Sequence, residues 1–349
     1  MRILSSFALL LTLAATLRAD TFVYVSMAPE KKIQIFRLES NGALVPVDTV
    51  AVDAGPGSLC VDPAKKHLYS SLRTNSSLAS FRIDSATGKL KQLGTAALVK
   101  DENAAFVGTD RSGRWLVSAS YAAGKVVVHR VVDGVIQSPA AQVVTTAKTA
   151  HSAFFDKANT TMFVPHVVPN AVYQFQFDAE TGKLTETAKA PGGTANAGPR
   201  HLALHPTMNL AFTSDEVGNS ITAYRIDAKT GLAPVQTLST LPEGFKAKNT
   251  TAEVKVHPNG KFVWVSNRGH DSLAGFAIDE AGKLTSLGQA PTEKTPRSFD
   301  IDPDGRFLFA GGEGSGKLVV YQIEANGGLT RVHAYDVGKS LSWVMSVKM

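Results

Sequence analysis

Seven short apolar segments recur along the chain at intervals of 45 to 52 residues, and this period restricts the fold more than any other feature. They begin at Phe22, Leu68, Leu116, Met162, Ala211, Val263 and Leu308. Each is followed by a second segment rich in β-branched and aromatic residues, such as KIQIFRLE, KVVVHRVV or SITAYRID. Glycine-containing stretches such as ATGKL, ETGKL and EAGKL then lead into a third strand. Before six of the seven segments stands a turn (DPAKK, DRSGR, DKANT, HPTMN, HPNGK or DPDGR), itself preceded by a short apolar strand such as SLCVD or HLALH. Four short antiparallel strands per period predict a propeller blade, and no stretch after residue 20 keeps the 3.6-residue apolar period of a helix. The expected fold is an all-β, seven-bladed β-propeller forming one domain over residues 20–349. The first strand-like segment reads as the second strand of a blade, and Ser342 to Lys348 (SWVMSVK) reads as an unpaired first strand. The C-terminus is therefore expected to complete the N-terminal blade and cover its open edge.

Composition narrows the function classes. Of 349 residues 44% are hydrophobic and 19% charged, enough to bury a large core. The basic and acidic residues, 36 against 30, are interleaved without a Lys/Arg run, which argues against a nucleic-acid surface. Cys60 is the only cysteine, which excludes a disulfide framework, thiolate zinc and an iron–sulfur site. Neither H-E-x-x-H nor an EF-hand loop occurs, and no metal or other cofactor is expected. GGEGSGKL, from Gly311, resembles a phosphate-binding loop, but Leu318 stands where Ser or Thr is required, so it reads as a hairpin.

Arg2, the Leu/Ala-rich run from Ile3 to Leu17 and Arg18-Ala19 have the form of an export signal, with cleavage between Ala19 and Asp20. Residues 1–19 are thus expected to be removed, lowering the net charge from +6 to about +4. The mature chain is expected to be periplasmic or secreted, without a membrane span. A ring with covered edges folds without a partner, so the expected state is a monomer.

Alignment of the copies sorts residues by face. If first strands are innermost and run antiparallel to second strands, the starts of the former and the ends of the latter meet at one mouth of the central channel. The first column holds Gly57, Ala105, His151, Arg200, Ala252 and Arg297, with His201 and Glu253 one step further. The second holds Met27, Arg73, Tyr121, Val167, Glu216, Arg268 and Glu313, with His166, Asp215, Asn267, His270 and Asp271 beside it. Arg offers a planar fork for carboxylate or phosphate, while His and Glu move protons near neutral pH. Arg73 and Glu313 taken singly read as solvated rim charges. Tyr121 either stacks on a ligand or packs between blades. His205 and His257 fall in the opposite turns and read as caps.

Several segments carry a family resemblance: GPRHLALHP from Gly198, Asp215-Glu216 followed by NSITAYRID, AEVKVHPNGKFVWVSNRGHDSLAGF from Ala252, TPRSFDIDPDGRFLF from Thr295 and SASYAAGKVVV from Ser118. Together they resemble the lactonase-type seven-bladed propellers, which include 6-phosphogluconolactonases and fungal carboxymuconate cyclases. The resemblance spans essentially the whole chain after residue 20. It implies a small-molecule site at the mouth using His151, Arg200, Glu216, Glu253, Arg268 and Arg297, and a lactone or anionic sugar acid as ligand. In hydrolysis, water attacks the ring ester and charge builds on the carbonyl oxygen. Glu216 or His151 is then the base. Arg200 and Arg268 stabilise the oxyanion or grip an acid group, and Arg297 serves the latter purpose. Tyr121, His201, Glu253, Asn267, His270 and Arg297 form the expected substrate-binding set. The same residues suit cyclisation in reverse. The alternative class is a non-catalytic secreted propeller that binds a small molecule, glycan or protein partner. N-terminal sequencing of the protein recovered from outside the cytoplasm is expected to read from Asp20; an unprocessed start at Met1 would overturn the export reading.

Overall fold

The computed structural model describes residues 19–99 and 102–349. The expected export signal lies outside the described residues except for Ala19. Every regular element among them is a β-strand. The strands form seven antiparallel sheets, six built in chain order and one joining the two termini. This is the seven-bladed propeller read from the repeat.

The ring closes as expected. Leu341–Lys348 pairs antiparallel with Thr21–Met27, from Thr21 opposite Lys348 to Met27 opposite Leu341, and Lys32–Leu38 and Leu44–Ala51 complete blade 1. Blades 2 to 7 start at inner strands Pro56–Val61, Ala104–Thr109, Phe154–Phe155, Pro199–Leu204, Thr250–Val256 and Pro296–Ile301. Blade 3 departs from four plain strands. Its outer strand is split into Val135–Ile136 and Gln142–Thr145, and Pro139, which has no N–H to offer a ladder, lies in the interruption.

Second strands are buried along their length, because both faces of a blade pack against neighbouring blades. Outer strands alternate or are largely exposed. The buried aromatics Tyr24, Phe81, Phe175, Phe212, Phe276 and Phe309 fill the spaces between sheets.

One irregularity repeats around the ring. Where each inner strand begins, its register with the second strand slips: between Pro56 and Leu59, Ala104 and Phe106, Pro199 and His201, Thr251 and Val254, Pro296 and Ser298. In blade 1 the slip falls opposite Ser26 and Met27 and skips Ser342. In blade 4 the ladder is reduced to Phe154 and Phe155, and Ala150 bridges His166 across the gap. Pro165 of the second strand cannot donate there, although its carbonyl still accepts from His151 N–H at 3.0 Å. The slipped residues are the first of the two columns found in the sequence. A bulge re-aims its side chain, and here the aim is into the channel.

The opposite end of the ring is built from caps. Asp62 Oδ1 accepts from Lys66 and His67 N–H, Asp156 Oδ1 from Thr160 and Thr161 N–H, and Asp302 Oδ1 from Arg306 and Phe307 N–H. His205 and His257 take this position in blades 5 and 6. Nδ1 of each accepts turn amides, from Thr207 and Met208 and from Asn259 respectively. Nε2–H then donates to the next blade's turn, to Gly260 O at 2.8 Å and Gly305 O at 2.7 Å. Both glycines have positive φ, and a Cβ on either would lie within 2.6 Å of the imidazole. Glycine is therefore required for this close approach. His257→Ala leaves the Gly305 carbonyl and the Asn259 amide unpaired in a partly buried turn, so a loss of about 2 kcal/mol is expected by urea unfolding. An unchanged midpoint would show that the latch carries no load.

Candidate functional site

The bulge column and the ends of the second strands meet at one mouth, as the antiparallel registers Pro199 to Asp215 and Thr250 to Arg268 require. There they enclose a hollow of about 210 Å³, lined by Arg73, Asn103, Ala105, Tyr121, Ala122, His151, Glu216, Arg268 and Arg297. Below it Arg200 lies almost fully buried, at 2% exposure.

Arginine dominates the electrostatics. Arg268 Nη2 donates to Glu216 Oε1 at 2.5 Å and to Thr251 O at 2.9 Å. Arg200 Nε lies 3.7 Å from the same Oε1, and Arg200 Nη1 donates to Ala252 O at 2.7 Å. Arg297 is 3.6 Å from Glu313, and Arg73 Nε donates to the Asn103 side chain at 2.9 Å. Four guanidiniums thus face two carboxylates. Burial, then the charges of Arg268 and Arg297, disfavour the Arg200 cation. A guanidinium nevertheless stays protonated, so the strain appears as excess positive charge. Glu216 uses Oε1 for both arginines, which ties it to charge balance.

His151 is 6% exposed. Burial, followed by the charges of Arg200, His201 and Arg297, holds its pKa well below the usual imidazole value. It is neutral at pH 7 and can accept a proton. Tyr121 meets its ring edge-on at 5.5 Å between centroids, and burial followed by the Glu216 charge keeps the phenol protonated. These groups together offer a proton acceptor and several positive donors around a space sized for a small molecule.

Not every expected residue reaches this space. His201 and Glu253 lie beneath it, paired at 2.9 Å from Nδ1 to Oε1 and both nearly inaccessible. The His201 ring is 5.0 Å from His151 and 5.6 Å from Trp343. Glu253 lines a separate cavity of about 280 Å³ at the far end of the channel, with Lys255, Phe106 and Trp343. Burial outweighs the Glu253 charge and lowers the His201 pKa to about 4, so the pair is a neutral imidazole donating to a carboxylate. Asn267 is spent on structure, exchanging hydrogen bonds with Thr240 and Asn249 of the preceding loop and Ser272. His270 sits on the rim against Phe245, Ser272 and Asn249, away from the hollow. His166 and Asp215 are held by structural contacts: His166 Nδ1–H donates to Val164 O and Nε2 accepts from the Thr146 hydroxyl, and Asp215 accepts from the hydroxyls of Thr213, Ser220 and Thr222. Arg73, read as a rim charge, faces the hollow instead. Asn103 and Ala122 were not signalled in the sequence, since each sits in a connecting segment beside a column residue rather than in a column.

Similarity to known proteins converges on one family. Residues 22–346 match the family described as lactonase, 7-bladed beta-propeller. The 6-phosphogluconolactonase of Pectobacterium carotovorum subsp. carotovorum (strain PC1) is 35% identical over 283 residues, covering 80% of this chain and 84% of that protein. The 6-phosphogluconolactonase of Yersinia pestis is 35% identical over 283 residues, covering 80% and 83%. Among solved structures, a periplasmic gluconolactonase of Pseudomonas aeruginosa has a TM-score of 0.86 at 23% identity, covering 94% of this chain and 99% of that one. At that identity the likeness carries the fold alone.

Buried imidazoles give the fold a definite pH response. His166 and His201 protonate in the unfolded chain near 6.5 but in the fold only near 4, and His151 likewise only well below 6.5. Each therefore removes stability as the pH falls below about 6.5. Asp215, raised by burial from 3.8 to about 6, acts in the opposite sense because the fold binds its proton first. His129 and His205, lowered by burial, act with the three imidazoles, and Asp302, raised by burial, acts with Asp215. With five imidazoles against two carboxyls, stability is expected to fall by about 2–3 kcal/mol per pH unit between pH 6 and 5 in urea titrations. His201→Gln is expected to have a shallower slope; an identical slope would show that His201 is charged in the fold.

Proposed function

The chain belongs to the lactonase family of seven-bladed β-propellers, and from that premise we propose that it hydrolyses a sugar lactone bearing an anionic group in the hollow at the channel mouth. The observation that supports this reading is the pairing of a neutral imidazole with an excess of guanidinium charge around that space. Relatives named 6-phosphogluconolactonase and gluconolactonase agree with the reaction class.

His151 is assigned as the base in this proposal. It takes a proton from water while the water oxygen bonds to the lactone carbonyl carbon. Charge moves to the carbonyl oxygen, where Arg268 donates and Arg200 adds its field from below. The ring C–O bond then breaks, and the departing ring oxygen takes the proton back from His151, leaving an open sugar acid. Glu216 is the weaker base candidate because Oε1 already serves Arg268 and Arg200. Its role is to hold both guanidiniums in place. Arg73 and Arg297 lie on the same side of the hollow and grip the acid group of the substrate. The export signal expected from the sequence favours a lactone met outside the cytoplasm as the substrate.

A panel of sugar lactones carrying phosphate, carboxylate or no charge tests the proposal. The charged members are expected to show a KM about tenfold lower or better, since a charge-assisted hydrogen bond contributes roughly 1.5–3 kcal/mol. His151→Gln and Arg268→Gln are expected to lower kcat about 10²–10³-fold each. Parent-like turnover in either variant removes that residue's assignment, and a parent inactive on the whole panel overturns the proposal in favour of a binding module.

A further inference from the structure

Below the substrate hollow the bulge column closes around a second, much smaller cavity. It measures about 10 Å³, room for roughly one water-sized sphere. Arg73, His151 and Arg297 line both spaces, so this throat lies directly beneath the hollow. Arg200, Ser58 and Ser342 also line it, with Trp343 and the small residues Gly57 and Ala105. Three guanidiniums therefore converge on a space too small for a carboxylate or a phosphate.

Among the described residues, opposite charge is scarce there. Glu313 lies 3.6 Å from Arg297 and its charge also acts on Arg73; Glu216, 3.7 Å from Arg200 Nε, already bonds Arg268; and Glu253 acts on Arg200 from beneath while bonding His201. None of these carboxylates lines the throat. Arg200 is 2% exposed, and its Nε–H is buried without an acceptor. A guanidinium cannot shed its charge, and this buried one has its carboxylate at ion-pair distance, 3.7 Å, rather than at hydrogen-bond distance. A water molecule in the throat would accept two hydrogen bonds but leave the charge uncompensated. A metal cation would be repelled. The Ser58 hydroxyl accepts from Val107 N–H at 3.2 Å, so its own proton is available to a ligand.

We propose that the throat is a binding site for a monatomic anion, chloride or bromide, held by Arg73, Arg200 and Arg297 with the Ser58 hydroxyl. The ion supplies the negative charge that the protein leaves out, and it sits under the substrate rather than in its place. This inference does not depend on which lactone the hollow takes, and its test needs no substrate.

Crystals grown in sodium bromide without chloride, with data collected at the bromine edge, are expected to show an anomalous peak in the throat against Arg200. In solution, thermal melting in sodium chloride is compared with melting in sodium methanesulfonate, whose anion is too large to enter, at equal ionic strength. A saturable rise of roughly 2 °C in chloride is expected once chloride is well above its dissociation constant. Arg73→Gln, which reaches the throat from the rim, is expected to abolish this increment while keeping the methanesulfonate melting point. If that variant does not fold, the bromide peak in the parent protein still decides. No peak in the throat, a peak confined to the upper hollow beside Arg268, or equal melting in both salts overturns the proposal.

Discussion

Each blade gives up the first step of its innermost ladder, and the mouth is built from what that concession releases. In a regular strand, side chains point alternately to the two faces of the sheet. In a propeller both faces are covered by neighbouring blades, so a regular inner strand presents mainly backbone to the axis. A bulge breaks the alternation and turns one side chain toward the channel. Gly57, Ala105, Arg200, Ala252 and Arg297 occupy such positions, and Pro165 produces the equivalent release for His151. Ala105, a small member of this ring, leaves room at the hollow, while His151 and Arg297 give it its basic character.

The electrostatic design follows from that crowding. Guanidiniums brought this close repel one another, and the low local dielectric strengthens the repulsion. Glu216 offsets part of it by sitting between Arg200 and Arg268, within 3.7 Å and 2.5 Å of them. Burial, and after it the remaining excess, depresses His151, keeping its imidazole neutral and its lone pair available. A single arrangement of charge thus attracts an anion and prepares a base. It also weakens the fold, since stability is lost wherever buried charge lacks a partner. Strain of this kind concentrates at functional sites, where local rules are broken and the surroundings compensate.

The ring and its closure were legible because the signals are local: turn residues at a fixed offset and β-rich segments at a fixed period. The channel-facing column was legible for the same reason, since the bulge falls a constant distance before each turn. What the sequence did not reveal was depth. His201 and Glu253 lie one step past column positions, and one step along a strand reverses the side a residue faces. They therefore pair beneath the mouth, and Glu253 opens toward the far cavity. Asn267 and Asp215 fell beside the right column but are consumed by neighbouring hydroxyls and amides, an accounting that depends on loops folding back from elsewhere. Arg73 was underrated because an isolated charge at a strand end gives no sign of the Arg297 it will face.

Closure and site formation are carried by the same strand. Leu341–Lys348 covers the edge of blade 1 through its ladder with Thr21–Met27. It also brings Ser342 into the throat and sets Trp343 where it lines both the throat and the far cavity, 5.6 Å from the His201 ring. Phe106 packs edge to face on His201 and Trp343, and these two meet at a tilt, with centroids 5.6 to 6.1 Å apart, between the throat and the far cavity. Without the Leu341–Lys348 strand, His151 and the arginines would face an open shaft filled with water, where both the depressed imidazole and the crowded guanidiniums would be screened. The aromatic floor beneath these charges depends on Leu341–Lys348, the strand that also closes the ring, so a complete site requires a closed ring.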